Sequence, residues 1–534
     1  MCGIFFICSK TGIFTDESIR RILSNFKLLK RRGPDQYALT IVGNCIIGFQ
    51  RLAINDTSSN GMQPFQLGES FTMCNGEIYN YDDLKSEYLN ILKSKSDCEV
   101  LPHMISHYGI EKTVQLLDGV FAIAHINTTA KTVSLARDRI GVKPVFYGES
   151  DMFFAAASEA KALDGLSLPN IQQLKPGSIV TYEYDTYIFQ SVSNVSSVLN
   201  VSSVSSVSYE ESRETIRRLL IRAVQKRMTS DRDIGCLLSG GLDSSIIASI
   251  LANEMQKNGK KLRTFSVGFP DSTDIIYARQ VAAHIQSDHQ EYLIKYEDAL
   301  QRIEDVVKAT ETYDTTTIRA STPMYLLCEW INKNFPDKVI FSGEGSDELF
   351  CGYLYFHNAP NAQEAHTDSL RLVNELYQYD VLRADRCTAG NGLEFREPFL
   401  DKDLVDFVVA MDPSYKIPST HESTIFEKTI LREAFSTDLP DPVAWRRKAA
   451  FSDAVSSSEK PWYQWIHEYV KNDKNDKNDI TDYGGTTESN YYKTLFYKYF
   501  KDYKPTIPLW LPRWCNVGSE PSATVLNVYN KNEH

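Results

Sequence analysis

Over roughly the first 190 residues, apolar positions come in short runs: GIFFIC, CIIGFQ, VFAIAHI, TVSLARD, PVFYG and MFFAAA. Turn residues separate these β-type runs, and at least two helices interrupt them. That pattern predicts stacked sheets with flanking helices. Beyond residue 230 the pattern becomes apolar strand, glycine turn, helix and strand again. DIGCLL, LRTFSVGF and KVIFSG read as buried parallel strands of a doubly wound α/β domain.

Between these regions, residues 191–208 read SVSNVSSVLNVSSVSSVS. Alternating Val could form a strand, but the many serines and the lack of varied core residues favour a surface linker. YEESRETIRRLLIRAVQKRM follows, with helical spacing of its apolar residues. The expected division is therefore a domain over 2–190, a linker over 191–208 and a second domain over 209–534. KNDKNDKND at 471–479 reads as a solvated loop.

A chain of 534 residues is too long for one ordinary core, which agrees with two domains. Its net charge of −12 disfavours a broad nucleic-acid footprint. No signal-like N-terminus and no apolar run of membrane-spanning length occur, and the ten cysteines stand singly. Reduced thiols, a cytoplasmic location and small-molecule partners are expected, with neither nucleic acid nor membrane. A homodimer is compatible with this and is not readable from the residues.

The second residue, Cys2, introduces the chemistry. With Met1 removed it carries a thiol beside a free α-amine, a nucleophile next to a base whose ordinary pKa of about 7.7–8.0 lies near neutrality. Such a pair suits amide hydrolysis through a thioester. CNGEIYN offers Asn75 and Gly76 as oxyanion donors, RRGPD and QRLAIND offer arginines for a carboxylate, and Asp97 could receive an α-ammonium. Taken singly, each is more readily a turn or a solvated charge.

Two further loops follow apolar strands. LLSGGLDSS opens a helix, making an anion cradle of Ser239, Gly240, Gly241 and Ser244 with the acidic Asp243 inside it. FSGEGSDELFCGY adds Ser342, Gly343 and three clustered carboxylates, Glu344, Asp347 and Glu348. The first is not a Walker A loop, since no Gly-Lys-[ST] follows.

MCGI, RGPD, RLAI, NGEIYN and SDCE together resemble the class-II glutamine amidotransferase domain. The two later loops, with ETYDTTTIRASTPMYLL and LEFREPFLD, resemble the glutamine-dependent asparagine synthetases from Cys2 to about residue 515. The resemblance implies an α/β and α+β fold: an Ntn-type αββα sandwich followed by a doubly wound ATP-pyrophosphatase-type domain. It implies glutamine-dependent asparagine synthesis through a β-aspartyl-adenylate, with ATP as substrate and Mg²⁺ as cofactor.

It also assigns roles. Cys2 is the nucleophile, with Asn75 and Gly76 in the oxyanion hole. Glutamine is held by Arg51, Leu52, Ala53, Ile54, Asn55, Asn75, Gly76, Glu77 and Asp97. ATP contacts extend the cradle to Leu237 and Val267, and Asp243 and Asp347 hold the metal. Thr316, Thr317 and Arg319 stand near aspartate, Glu344 acts as base for ammonia, and Lys448 steadies the phosphates. A related adenylating amide or β-lactam synthetase shares the two later loops without the TTIRASTPM string, and a catalytically silent relative is the other alternative.

The chain departs from the family pattern at Arg31, at Gln36-Tyr37-Ala38, at Asn391, and at Ala449, Ala450 and Ala454. With Met1 retained the Cys2 nitrogen is an amide, and the first site lacks its base.

Overall fold

The computed structural model describes residues 1–194, 207–449, 455–456, 460–472 and 480–515. Its logic starts at strand β1 (Gly3–Ser9), every residue of which is buried. Successive side chains of a strand face opposite ways. Ile4, Phe6 and Cys8 enter a core shared with Phe71, Met73 and Ala124, while Phe5 and Ile7 pack with Ile22 and Phe26 of the Asp16–Lys27 helix. A strand covered on both faces must be apolar throughout, which is why GIFFIC does not alternate.

Eleven more strands complete this half: β2 (Gln36–Val42), β3 (Cys45–Arg51), β4 (Phe65–Leu67), β5 (Ser70–Ile78), β6 (Gly119–Asn127), β7 (Thr132–Arg137), β8 (Phe146–Glu149), β9 (Phe153–Ala157), β10 (Gln172–Gln173), β11 (Ser178–Glu183) and β12 (Ile188–Asn194). They form two six-stranded antiparallel sheets, ordered β10-β8-β9-β1-β3-β2 and β12-β11-β7-β6-β5-β4. The outer face of the second sheet buries Cys74, Ile78 and Ile123 against Val100, Leu101 and Met104 of the Val100–Leu116 helix. Helix, sheet, sheet, helix is the αββα sandwich.

Strand β12 runs to Asn194, so 191–194 of the stretch read as a linker pair with β11. Residues 195–206 lie outside the described residues. The Ser208 hydroxyl accepts the Glu211 N–H and caps the Tyr209–Lys226 helix. In KNDKNDKND, Lys471 and Asn472 close the Trp462–Asn472 helix, against the expectation of a loop, and 473–479 lie outside the described residues.

The second half holds β13 (Ile234–Leu237), β14 (Arg263–Gly268), β15 (Asp288–Leu293), β16 (Val339–Phe341) and β17 (Glu394–Arg396), all parallel, in the order β15-β14-β13-β16-β17. The chain winds outward from β13 through β15 and resumes on the other side at β16. The crevice between the loops after β13 and β16 is therefore the switch point, where such sheets bind ligands. One apolar cluster continues from Phe26 through Ile140 and Val142 to Ile246 and Phe341, so the halves share a core. Among the described residues, no helix is long and apolar enough to cross a membrane.

Candidate active sites and the strand between them

Cys2 lies just ahead of β1, half-buried, with its N–H donating to Asn75 Oδ1 at 2.7 Å and its Sγ 3.7 Å from the Leu52 carbonyl oxygen. The first bond fixes the orientation of the Asn75 amide. It leaves Asn75 Nδ2 buried with no hydrogen-bond partner, a donor on the side chain that holds the Cys2 backbone. Gly76 follows in β5, where a Cβ would run into the Val120 carbonyl of β6. Burial is the largest influence on the thiol and raises its pKa, so the nucleophile needs a base. Met1 is present, and its ammonium pairs with Glu394 Oε2 at 3.0 Å in a buried site.

The glutamine-pocket candidates surround this point with varied partners. Glu77 accepts Asn55 Nδ2 at 2.7 Å and lies 3.2 Å from Arg396. Asp97 accepts the Ile78 N–H at 2.8 Å. Burial, with neighbouring carboxylates, raises both acids. The Arg51 guanidinium binds Gln36 Oε1 at 2.9 Å and the Ser58 carbonyl at 2.6 Å, and also the Asp56 carbonyl. It shapes the loop that presents Leu52. Ala53 and Ile54 face the second half, their carbonyls accepting Arg232 Nε and the Asp231 N–H.

At the switch point a cavity is lined by Leu237, Ser239, Gly241, Asp243, Ser244, Val267, Thr316, Thr317, Ser342, Gly343, Glu344, Asp347 and Lys448. Gly240 stands just behind, at φ +70, where any side chain would strike Tyr277 and Ala278. The helix opening at Leu242 points its N-terminus into the cavity. Thr316 Oγ1 is buried without a partner.

Asp243 and Asp347 face one another across two lysines. Lys428 Nζ lies 2.7 Å from both Asp243 oxygens and 2.6 Å from Asp347 Oδ1. Lys448 Nζ lies 2.6 Å from Asp347 Oδ2 and 3.8 Å from Asp243. Despite its burial, Asp347 is held well below the usual carboxylate range by this pair of ammonium groups. Among the described residues, no three His, Cys, Asp or Glu side chains form a metal cluster. Two carboxylates in a phosphate-sized cavity fit magnesium that is completed by phosphate oxygens and water, and do not fit a protein-only cage.

Arg319 stands elsewhere. It is buried, its Nε and Nη2 2.9 and 2.6 Å from Glu488, with His467 3.4 Å away. The reason is helical rotation. In the Thr315–Asn334 helix the cavity face carries Thr316, Thr317, Ala320, Met324 and Leu327. Arg319 lies about 100° round from that face, at 3.6 residues per turn. The arginine that does line the cavity is Arg383, which donates to Glu344 Oε2 at 2.8 Å and to Asp380 at 2.6 Å. Burial raises the Glu344 carboxyl against that guanidinium. Sequence reasoning missed Arg383, Asp380 and Lys428, which sit on segments with no glycine-rich loop to mark them.

Two departures from the family pattern meet between the halves. Arg31 Nη1 donates to Tyr325 Oη at 2.6 Å, and Asn391 Nδ2 to the Tyr325 carbonyl at 3.2 Å. Ala449 lines the cavity, whereas Ala450 and Ala454 lie outside the described residues.

The structure thus defines a two-site architecture, an N-terminal cysteine domain fused to a nucleotide-type α/β domain. Residues 1–215 match the family model "Glutamine amidotransferase domain", and 215–372 with 358–488 match "Asparagine synthase". Curated relatives named asparagine synthetase [glutamine-hydrolyzing] include those of Gallus gallus, 38% identical, and of Bos taurus and Homo sapiens, each 37% identical. Each match covers 99% of both chains. The chain belongs to the glutamine-hydrolysing asparagine synthetase family.

Proposed function

We propose that the chain hydrolyses glutamine at Cys2 and uses the ammonia to convert aspartate to asparagine, while ATP becomes AMP and pyrophosphate. The observation that carries this reading is strand β17, which touches both sites. Its Arg396 guanidinium reaches Glu77 of the glutamine pocket. The Arg396 carbonyl accepts the N–H of Ser342 in the nucleotide cavity.

At the first site, removal of Met1 frees the Cys2 amine to take the thiol proton as sulfur attacks the glutamine amide. The developing oxyanion is met by the unpartnered Asn75 Nδ2, with Gly76 allowing close approach. Glu77 and Asp97 hold the α-ammonium, and the Arg51–Asn55 loop holds the carboxylate end.

At the second site, Leu237 and Val267 flank ATP while Ser239, Gly240, Gly241, Ser244, Ser342 and Gly343 cradle its phosphates. Thr316, Thr317 and Arg383 orient aspartate so that its β-carboxylate attacks the α-phosphate. Asp243 and Asp347 would hold magnesium, which when bound neutralises charge on the departing pyrophosphate. Lys448 follows the same charge. Glu344 takes a proton from ammonia as the amide forms; its raised affinity for protons suits that task. On this reading the domains expected at 2–190 and 209–534 are the two functional ones, with strand β12 carrying the first on to Asn194. The enzyme works in the cytoplasm as a homodimer, on small molecules without nucleic acid or membrane.

The test is an assay with glutamine, aspartate and ATP. Equal yields of asparagine, AMP and pyrophosphate are expected. Pyrophosphate release indifferent to aspartate, or an amide made from another acid, would replace this reading.

A further inference from the structure

Lys428 is built into the nucleotide cavity with unusual firmness. Its side chain is 2% exposed, and its backbone sits at φ +57, a left-handed conformation that strains a non-glycine residue. It stands directly before the Thr429–Phe435 helix. Gly352 packs on its stem, and a Cβ there would collide with Lys428 Cε. Strain and close packing both fix where the ammonium goes: between Asp243 and Asp347, within 2.7 Å of each.

Two buried carboxylates at bridging separation repel unless a cation joins them. Lys428 supplies that cation, and with Lys448 on the outer side two negative charges face two positive ones. A divalent ion arriving alone meets a cluster already neutral, and must displace an ammonium from both of its ligands. Pyrophosphate changes the balance. Its oxygens offer the lysines another anion and offer the metal further ligands, so cation and phosphate are favoured together.

We propose that Lys428 is an internal stand-in for the metal. It keeps Asp243 and Asp347 at bridging separation before the nucleotide arrives and makes magnesium binding conditional on phosphate. The proposal rests on the adenylating reading of this cavity and adds an order of binding to it.

The experiment is calorimetric titration of the full chain with magnesium chloride, with and without inorganic pyrophosphate, for wild type and Lys428→Met. Wild type should take up magnesium only with pyrophosphate. Lys428→Met should bind magnesium alone at least ten-fold more tightly than wild type does, and should lose affinity for pyrophosphate. Equal magnesium affinity in wild type with and without pyrophosphate would overturn the proposal, as would a folded variant that binds magnesium alone no better than wild type. Melting curves establish that the variant is folded, and Lys428→Gln replaces it if it is not. Should wild type bind no magnesium even with pyrophosphate, the adenylating reading itself fails.

Discussion

Arg32 grips Asp385 with both terminal nitrogens, at 2.8 and 3.2 Å, while its Nε donates to the Cys2 carbonyl at 2.9 Å. One guanidinium therefore ties the backbone of the nucleophile to the Asp380–Ala389 helix, whose Arg383 holds Glu344 in the other cavity. Asp385 is held well below the ordinary carboxylate range by Arg32, despite its burial. Stranding one partner of a buried pair costs about 3–5 kcal/mol, and the loss here falls below that because Arg32 keeps Glu159 at 3.0 Å. Asp385→Asn should lower the melting temperature and cut glutamine-driven synthesis at least ten-fold, with ammonia-driven synthesis less affected. Equal loss of both rates would show that the pair acts only on stability.

Cys2→Ala removes the sulfur and little else, since Cys2 is already half-buried behind its backbone bonds. Glutamine-driven asparagine formation should vanish while the rate with ammonium chloride stays within about two-fold. Intact-mass measurement of the wild-type chain belongs beside it, because a retained Met1 silences the same site without any substitution.

Asp347 shows how its loop resists the usual cost of burying charge: Lys428 and Lys448 both lie 2.6 Å away. Asp347→Ala should stop aspartate-dependent pyrophosphate release while leaving glutamine hydrolysis intact. Normal release would remove Asp347 from the phosphate site.

The elements legible in the sequence are those whose chemistry is local. GIFFIC announces a doubly covered strand by itself, and SGGLD carries glycine, hydroxyl and carboxylate within one loop. Lys428 is different. It stands before a short helix with no motif to mark it, and only the fold brings it to Asp243, 185 positions away. Arg383 sits in a helix whose buried arginines look alike in sequence. Residues 191–194 read as linker because serines crowd the stretch and varied core residues are lacking, yet β12 runs through them and pairs with β11. Tertiary pairing overrode composition in that case.

Glu397 provides a test of opposite electrostatic sign. It is fully buried, and neither carboxylate oxygen has a hydrogen-bond partner. Burial raises its pKa from 4.5 to about 6, against the nearby positive charges of Lys143 and Arg227. Within that window the folded chain keeps a proton that the unfolded chain has released, so stability falls as pH rises through it. Above about pH 6 the penalty is about 2 kcal/mol, from 1.36 kcal/mol per unit. Glu397→Gln removes the titration, so its melting temperature should exceed wild type near pH 7.5 and the gain should shrink toward pH 4.5. A gain independent of pH would mean that packing, and not charge, is responsible.

Arg319 separates the cavity seen in the structure from the one expected from the motif. Its guanidinium is committed to Glu488, which also accepts the Tyr492 hydroxyl at 2.7 Å, and which is held below its ordinary range chiefly by that guanidinium. Breaking the pair should loosen the Thr487–Tyr499 helix from the Thr315–Asn334 helix and leave the substrate cavity in place. Arg319→Met should therefore destabilise the chain, by less than the about 3–5 kcal/mol of a stranded charge because His467 Nε2 stays 2.8 Å from Glu488. The KM for aspartate should stay within about two-fold. Arg383→Met, in contrast, should raise that KM at least ten-fold, because Arg383 lines the cavity. Steady-state kinetics and melting curves on the two variants decide between these positions, and a ten-fold rise in KM for Arg319→Met alone would restore it to the aspartate site.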